Sequence, residues 1–196
     1  MESFGARLTA RVADRESQIV LGLDPDPAAL WPGSWDGLTA TGTAARAASA
    51  VEAHCRAVIA EAGPAAVAVK LQLACFERLG AAGWQALAAV TVAAQTAGLL
   101  VIADGKRADI DVSAAAYAQA LLGSVPTPEG DVGGLGADAV TVAPYMGPDT
   151  IAPFARSAAD AGAGLFVLVR TSNPGAAVIE DALLADGRRV WEAVAA

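Results

Sequence analysis

The sequence predicts an α/β protein built on a parallel sheet, a TIM-type β/α barrel of which about the first five to six β/α units are present. Three observations point there. Short apolar runs alternate along the chain with stretches of helical periodicity. The runs are too apolar for a sheet with a wet face, so both faces must be covered. Charged residues close several of the runs, and α/β proteins build their sites at strand C-terminal ends. Periodicity alone leaves an open doubly wound sheet as an alternative. Charge on what read as four separate strand ends favours a ring of strands converging on one axis.

In chain order, residues 18–24 (QIVLGLD) read as a buried strand that enters a loop at Asp24-Pro25. The loop carries Pro25, Pro27, Pro32 and Gly33. A helix is expected from about 43 to 62, stopped by Gly63-Pro64. Residues 66–73 (AVAVKLQL) form the second strand, followed by a helix over about 83–97 that Gly98 breaks. The third strand is 99–103 (LLVIA), and its helix runs from about 111 to 122, with Asp111 or Ser113 near its start. Residues 124–136 (SVPTPEGDVGGLG) read as a surface loop. A fourth strand over 139–143, a helix over about 149–161 and a fifth strand over 164–169 follow. The remainder, past Asn173-Pro174-Gly175, reads as loop and helix. Nothing divides the chain, so residues 1–196 are expected to form one domain.

Composition narrows the partners. The chain is 55% hydrophobic and 17% charged, with a formal net charge of −8. That balance argues against nucleic acid or an anionic membrane surface as partner. An anionic small substrate stays open, because a few local cations decide that. The segment 79–103 has no charged residue, but Gly83, Gln85, Gln95 and Gly98 interrupt it, and it is not read as a membrane span. Cys55 and Cys75 fall on different elements and read as buried, reduced thiols of a cytoplasmic protein. The lone histidine, His54, excludes a multi-histidine metal site and reads as a helix-face residue. The N-terminus is polar and amphipathic, and is not read as a signal peptide.

The chemistry concentrates in Asp104-Gly105-Lys106-Arg107-Ala108-Asp109-Ile110, directly after the third strand. By itself this could be a solvated loop with local ion pairs. Lys70, however, interrupts an apolar strand, where a lysine is costly unless it ends in a polar site. Asp24 closes the first strand in the same way. Several converging charges are better explained by a site. No G-x-G-x-x-G or Walker-type loop is present to bind a nucleotide cofactor.

D-G-K-R-A-D-I resembles the D-x-K-x-x-D-I signature of the orotidine 5′-monophosphate decarboxylases, and its Lys-Arg form is similar to their second bacterial group. Four further segments resemble the family in order: LGLDPDP, VKLQLACFERLGAAG, TVAPYMGPDTIAPF and VRTSNPGA. The likeness runs from about Gly22 to Gly187. Leu71, Cys75, Ala108 and Arg170 depart from the usual residues, and none of these removes a charged catalytic group.

The resemblance implies a cofactor-free and metal-free decarboxylation of orotidine 5′-monophosphate to uridine 5′-monophosphate. Lys106 would protonate C6, Asp104 would lie beside the substrate carboxylate, and Lys70 would complete the charge network. Asp109 would reach into the site of the neighbouring subunit of a homodimer. Asp24 and Ser113 resemble ribose- and nucleotide-contacting positions, and Ser172 a pyrimidine-binding serine. A complete barrel has eight units and typically about 250 residues. The family's phosphate-gripping glutamine and arginine find no match after Gly175. The chain is therefore expected to be a fragment or naturally short, and by itself a poor or inactive enzyme. Two alternatives stay open: a magnesium-dependent sugar-phosphate decarboxylase or aldolase on the same barrel, and a non-catalytic barrel serving as an interaction subunit.

Overall fold

In the computed structural model, which describes residues 2–196, five parallel strands form one sheet. They are β1 (Val20–Leu23), β2 (Ala68–Gln72), β3 (Leu100–Arg107), β6 (Ala139–Val142) and β7 (Gly164–Val167), in the sheet order β1-β2-β3-β6-β7. β4 (Ser124–Thr127) and β5 (Gly130–Gly133) form a separate antiparallel hairpin. A doubly wound sheet reverses its strand order at a switch point. Here every strand pairs with the next one the chain reaches, which is the order of a barrel wall. The architecture left open by periodicity is thus a β/α-barrel arc.

The helices cover one face of this arc. α2 (Thr43–Ala62) buries Ala48, Val51, Cys55 and Ile59, a three-and-four spacing that makes one stripe. α4 (Ala81–Thr96) does the same with Gly83, Leu87, Val90 and Ala94. α5 (Asp111–Leu121) contributes Ala114, Ala118 and Leu121, and α6 (Ala152–Ala161) contributes Phe154 and Ala158. Against these stripes lie the outward residues of the strands: Val69 and Leu71, Val101 and Ala103, Val140 and Val142. Each large side chain fully buried there is worth about 1.5–3 kcal/mol. The alternate residues, Ala68, Leu100, Ile102 and Ala139, face the barrel axis and form a second, smaller cluster.

That inner cluster is closed from below by α1 (Phe4–Arg15). Ser3 caps it through Ala6 N, and Phe4, Leu8 and Val12 pack under the strands. Arg15 donates to the carbonyls of Gly63, Ala66 and Ala97, and Arg7 pairs with Asp138. The Phe4 ring also stands edge-on to Phe166 of β7. A Cβ at Gly164 would come within 2.5 Å of the Phe4 ring, so glycine is required there.

Several expectations are corrected. β3 does not end at Ala103 but continues through Arg107, because Arg107 pairs again with Val142 of β6. Residues 124–133 are a hairpin rather than a loop, with Thr127 Oγ1 tying its turn to the Gly130 carbonyl. Asp111 opens α5 and Ser113 lies in its first turn, as expected, but Ile110 occupies the cap position and no side chain bonds there. A short α3 (Leu73–Glu77) follows β2 directly, and the tail holds only α7 (Ala176–Ile179) and α8 (Val190–Ala195). Cys55 is buried, its thiol pushed up to about 12 by burial and by nearby Cys75 and Glu52, whereas Cys75 is only half-buried. His54 accepts from Trp31 N at Nδ1 and meets the Trp31 ring edge-on. Among the described residues, no helix is long and apolar enough to cross a membrane.

Candidate active site

Inward-facing positions near the C-terminal ends of β1, β2 and β3 carry the charges, so three strands supply the four groups, not four. Asp104 lies at the centre with its side chain 6% exposed. Its Oδ1 accepts from Lys106 Nζ at 2.7 Å and from Thr141 Oγ1 at 2.9 Å. Its Oδ2 accepts from Lys70 Nζ at 2.9 Å and from Gln72 Nε2 at 3.2 Å. Lys70 Nζ stands 3.7 Å from Asp24 Oδ1, which extends the row at the strand ends. Charge therefore alternates from Lys106 through Asp104 and Lys70 to Asp24.

A carboxylate this buried stays ionised only with compensation. Burial pushes the Asp104 carboxyl up, but hydrogen bonds from Lys106, Lys70 and Thr141 outweigh it and hold the group at about 2. Burial also works against the Lys70 ammonium. The hydrogen bond and charge of Asp104, with those of Asp24, overcome it and raise Lys70 above the ordinary lysine value. Both groups are thus fixed in their charged forms near neutral pH. Lys106 differs in exposure: half of its side chain is open to solvent, against a third for Lys70. A hollow of about 490 Å³ adjoins the row, lined by Gly22, Asp24, Asp26, Trp31 and His54 among others.

The remaining expected site residues are not drawn into this cluster. Asp109 turns back on itself, its carboxylate accepting from Ile110 N at 2.8 Å. Ser113 and Ser172 are exposed and lie on α5 and on the loop after β7. That loop is anchored by buried Glu180, which accepts from Thr171 N and Thr171 Oγ1. Thr141 and Gln72 were missed from the sequence. Each is a neutral residue at an inward strand position within a segment that resembles the family, with no charge to single it out.

Fold and site together define a β/α-barrel protein with a charged cluster at the C-terminal mouth of its strands. The sequence pattern of the orotidine 5′-phosphate decarboxylase / HUMPS family matches residues 17–194. The chain belongs to that family. An orotidine 5′-phosphate decarboxylase of Rhodopirellula baltica is 40% identical over 195 residues, covering all of this chain and 63% of the relative. One from Salinispora tropica is 41% identical over 195 residues, covering 99% of this chain and 64% of its own length. The chain thus spans less than two thirds of these relatives. Among solved structures, Leishmania donovani OMP decarboxylase superposes with a TM-score of 0.71 at 36% identity, over 98% of this chain and 63% of that one. Plasmodium berghei orotidine 5′-monophosphate decarboxylase gives 0.78 at 15% identity, over 98% and 69%, a likeness of fold.

Proposed function

We propose that this chain carries the charged catalytic residues of an enzyme that decarboxylates orotidine 5′-monophosphate to uridine 5′-monophosphate. The observation that carries the reading is the alternating row of Lys106, Asp104, Lys70 and Asp24 at the barrel mouth. Loss of carbon dioxide breaks the bond to C6 and leaves its electron pair on C6. That carbanion is poorly delocalised, so catalysis must come from charges already in place when it forms. Two unit charges about 4 Å apart interact by roughly 4 kcal/mol at an effective dielectric near 20. An ammonium beside C6 stabilises the developing pair and then donates its proton.

Lys106 is the proton donor in this reading, being the more exposed of the two lysines on Asp104. Asp104 lies beside the departing carboxylate and keeps both lysines charged. Lys70 and Asp24 meet the ribose, and Ser113 and Ser172 serve the nucleotide and the pyrimidine ring. Both Asp104 oxygens already accept from ammonium, hydroxyl and amide donors, a set that suits a fixed charge network better than a divalent cation. The working form in this reading is a cytoplasmic homodimer in which Asp109 completes the partner's site.

The test is a chimera in which residues 1–196 replace the matching stretch of the Rhodopirellula baltica relative. Release of carbon dioxide from orotidine 5′-monophosphate, undiminished by a chelator, is the expected result. A folded chimera without turnover would sink the reading. Asp109 is tested by mixing Asp109→Ala and Lys106→Ala chimeras. Subunit exchange should restore activity to a fraction of sites, and no recovery would show each monomer to be self-sufficient.

A further inference from the structure

Lys106 is held in a conformation that its strand would not adopt unaided. Its φ is +47°, in the left-handed region, which costs a residue with a Cβ about 1–2 kcal/mol. The register explains why. Between Ala103 and Arg107, β3 spends four residues where β6 spends two, from Val140 to Val142. The extra length forms a bulge centred on Gly105 and Lys106, a feature that re-aims side chains near sites. On its inner side, Lys106 N donates to Thr141 Oγ1 at 2.9 Å.

The outer side is held by Arg107. Its guanidinium pairs with Glu77 at the end of α3, and its Cζ lies 5.3 Å from the centre of the Tyr117 ring on α5. Its carbonyl accepts from Ala143 N at 2.9 Å, which restarts the pairing with β6. Arg107 Nε is buried with no hydrogen-bond partner among the described residues, so the group is held chiefly by charge and by the aromatic face. The bulge also lies tight on α3, since a Cβ at Gly105 would stand 2.8 Å from Leu73 Cδ1.

We propose that Arg107, clamped by Glu77 and Tyr117, is a positioning residue that fixes this bulge and so keeps the Lys106 ammonium against Asp104, aimed into the site. The consequence for catalysis rests on the reading of Lys106 as proton donor; the positioning itself does not. A lysine side chain is long and half of this one is exposed, so its direction depends on a fixed backbone.

The chain contains two lysines, Lys70 and Lys106, so an amine-acylating reagent followed by peptide mass spectrometry reads each separately. In Arg107→Ala, Lys106 should acylate about tenfold faster, equivalent to about 1.4 kcal/mol, while Lys70 keeps its original rate. In the chimera, the same substitution should lower turnover about tenfold with KM within about threefold, as expected when only transition-state alignment is lost. Added guanidinium should reverse both effects. Glu77→Gln, which preserves side-chain shape, should move them in the same direction and serves if Arg107→Ala does not fold. An unchanged Lys106 rate in a folded variant overturns the proposal, as does equal acceleration of both lysines. Absence of turnover in the parent chimera would instead overturn the proposed function, while the acylation rates still decide the positioning.

Discussion

The Lys106 ammonium donates to Asp104 across two positions of one strand, at 2.7 Å, although the backbone between them leaves the regular register. Lys70 approaches the same carboxylate from the neighbouring strand at 2.9 Å. Both lysines of the chain therefore meet at one buried acid. Replacing that acid is the most direct perturbation available.

Asp104→Asn should destabilise the protein by about 1–3 kcal/mol near neutral pH, because two ammonium groups then face a neutral amide. The deficit should depend on pH. Folding holds the Asp104 carboxyl at about 2, below its ordinary 3.8, so its stabilisation is fully present above that ordinary value. It is lost as pH falls through about 2. Lys70 is shifted the other way, so its contribution is present below the ordinary lysine value and fades at higher pH. Denaturant midpoints of parent and variant should converge in strong acid. A gap that stays constant from pH 6 to 2 would contradict the pairing.

In the chimera, Lys106→Ala should fold and lose almost all turnover. The side chain is half exposed, and Asp104 would retain Lys70, Thr141 and Gln72, so the stability change should stay within about 1 kcal/mol. Loss of the proton donor should lower turnover by about a thousandfold. Retention of more than a few per cent of parent turnover by the folded variant would remove Lys106 from that role.

Thr141→Val tests the residue that joins β6 to the site. Its hydroxyl donates to Asp104 and accepts from Lys106 N, and valine leaves both groups short of a partner. A stability loss of about 1–2 kcal/mol is expected, with turnover of the chimera reduced about tenfold. Thr141→Ser should restore most of both. Equal behaviour of the valine and serine variants would show the hydroxyl to be idle.

The parts of this site visible in the sequence were those whose polarity contradicts their surroundings. Lys70 within AVAVKLQL and Asp24 at the end of QIVLGLD stand out because burying a lone charge is costly. Thr141 within AVTV does not, since threonine suits a strand anywhere. Only the pairing of β3 with β6 brings it to Asp104. The same reliance on polarity ended the third strand too early, because D-G-K-R reads as solvated until its partner strand is known. The amphipathic N-terminus was legible, with Phe4, Leu8 and Val12 at helical spacing, but nothing local showed that this face covers the inner cluster. In the hairpin, Val125 and Val132 face each other across the ladder, but glycines and prolines around them mask the alternation.

The last prediction concerns the edges of the sheet. β1 pairs with β2 alone and β7 with β6 alone, so each has one unpaired side among the described residues. Apolar residues lie exposed there: Ile19 and Val20 beside one edge, Phe166 and Val167 at the other. Unpaired, apolar parallel edges are templates for further strand pairing. Purified as a separate polypeptide, residues 1–196 should self-associate in a concentration-dependent way, as measured by sedimentation velocity. Val167→Lys should weaken that association by placing a charge on the β7 edge. A monodisperse monomer at tens of micromolar, unaffected by the lysine, would mean that the edges are protected by means other than strand pairing.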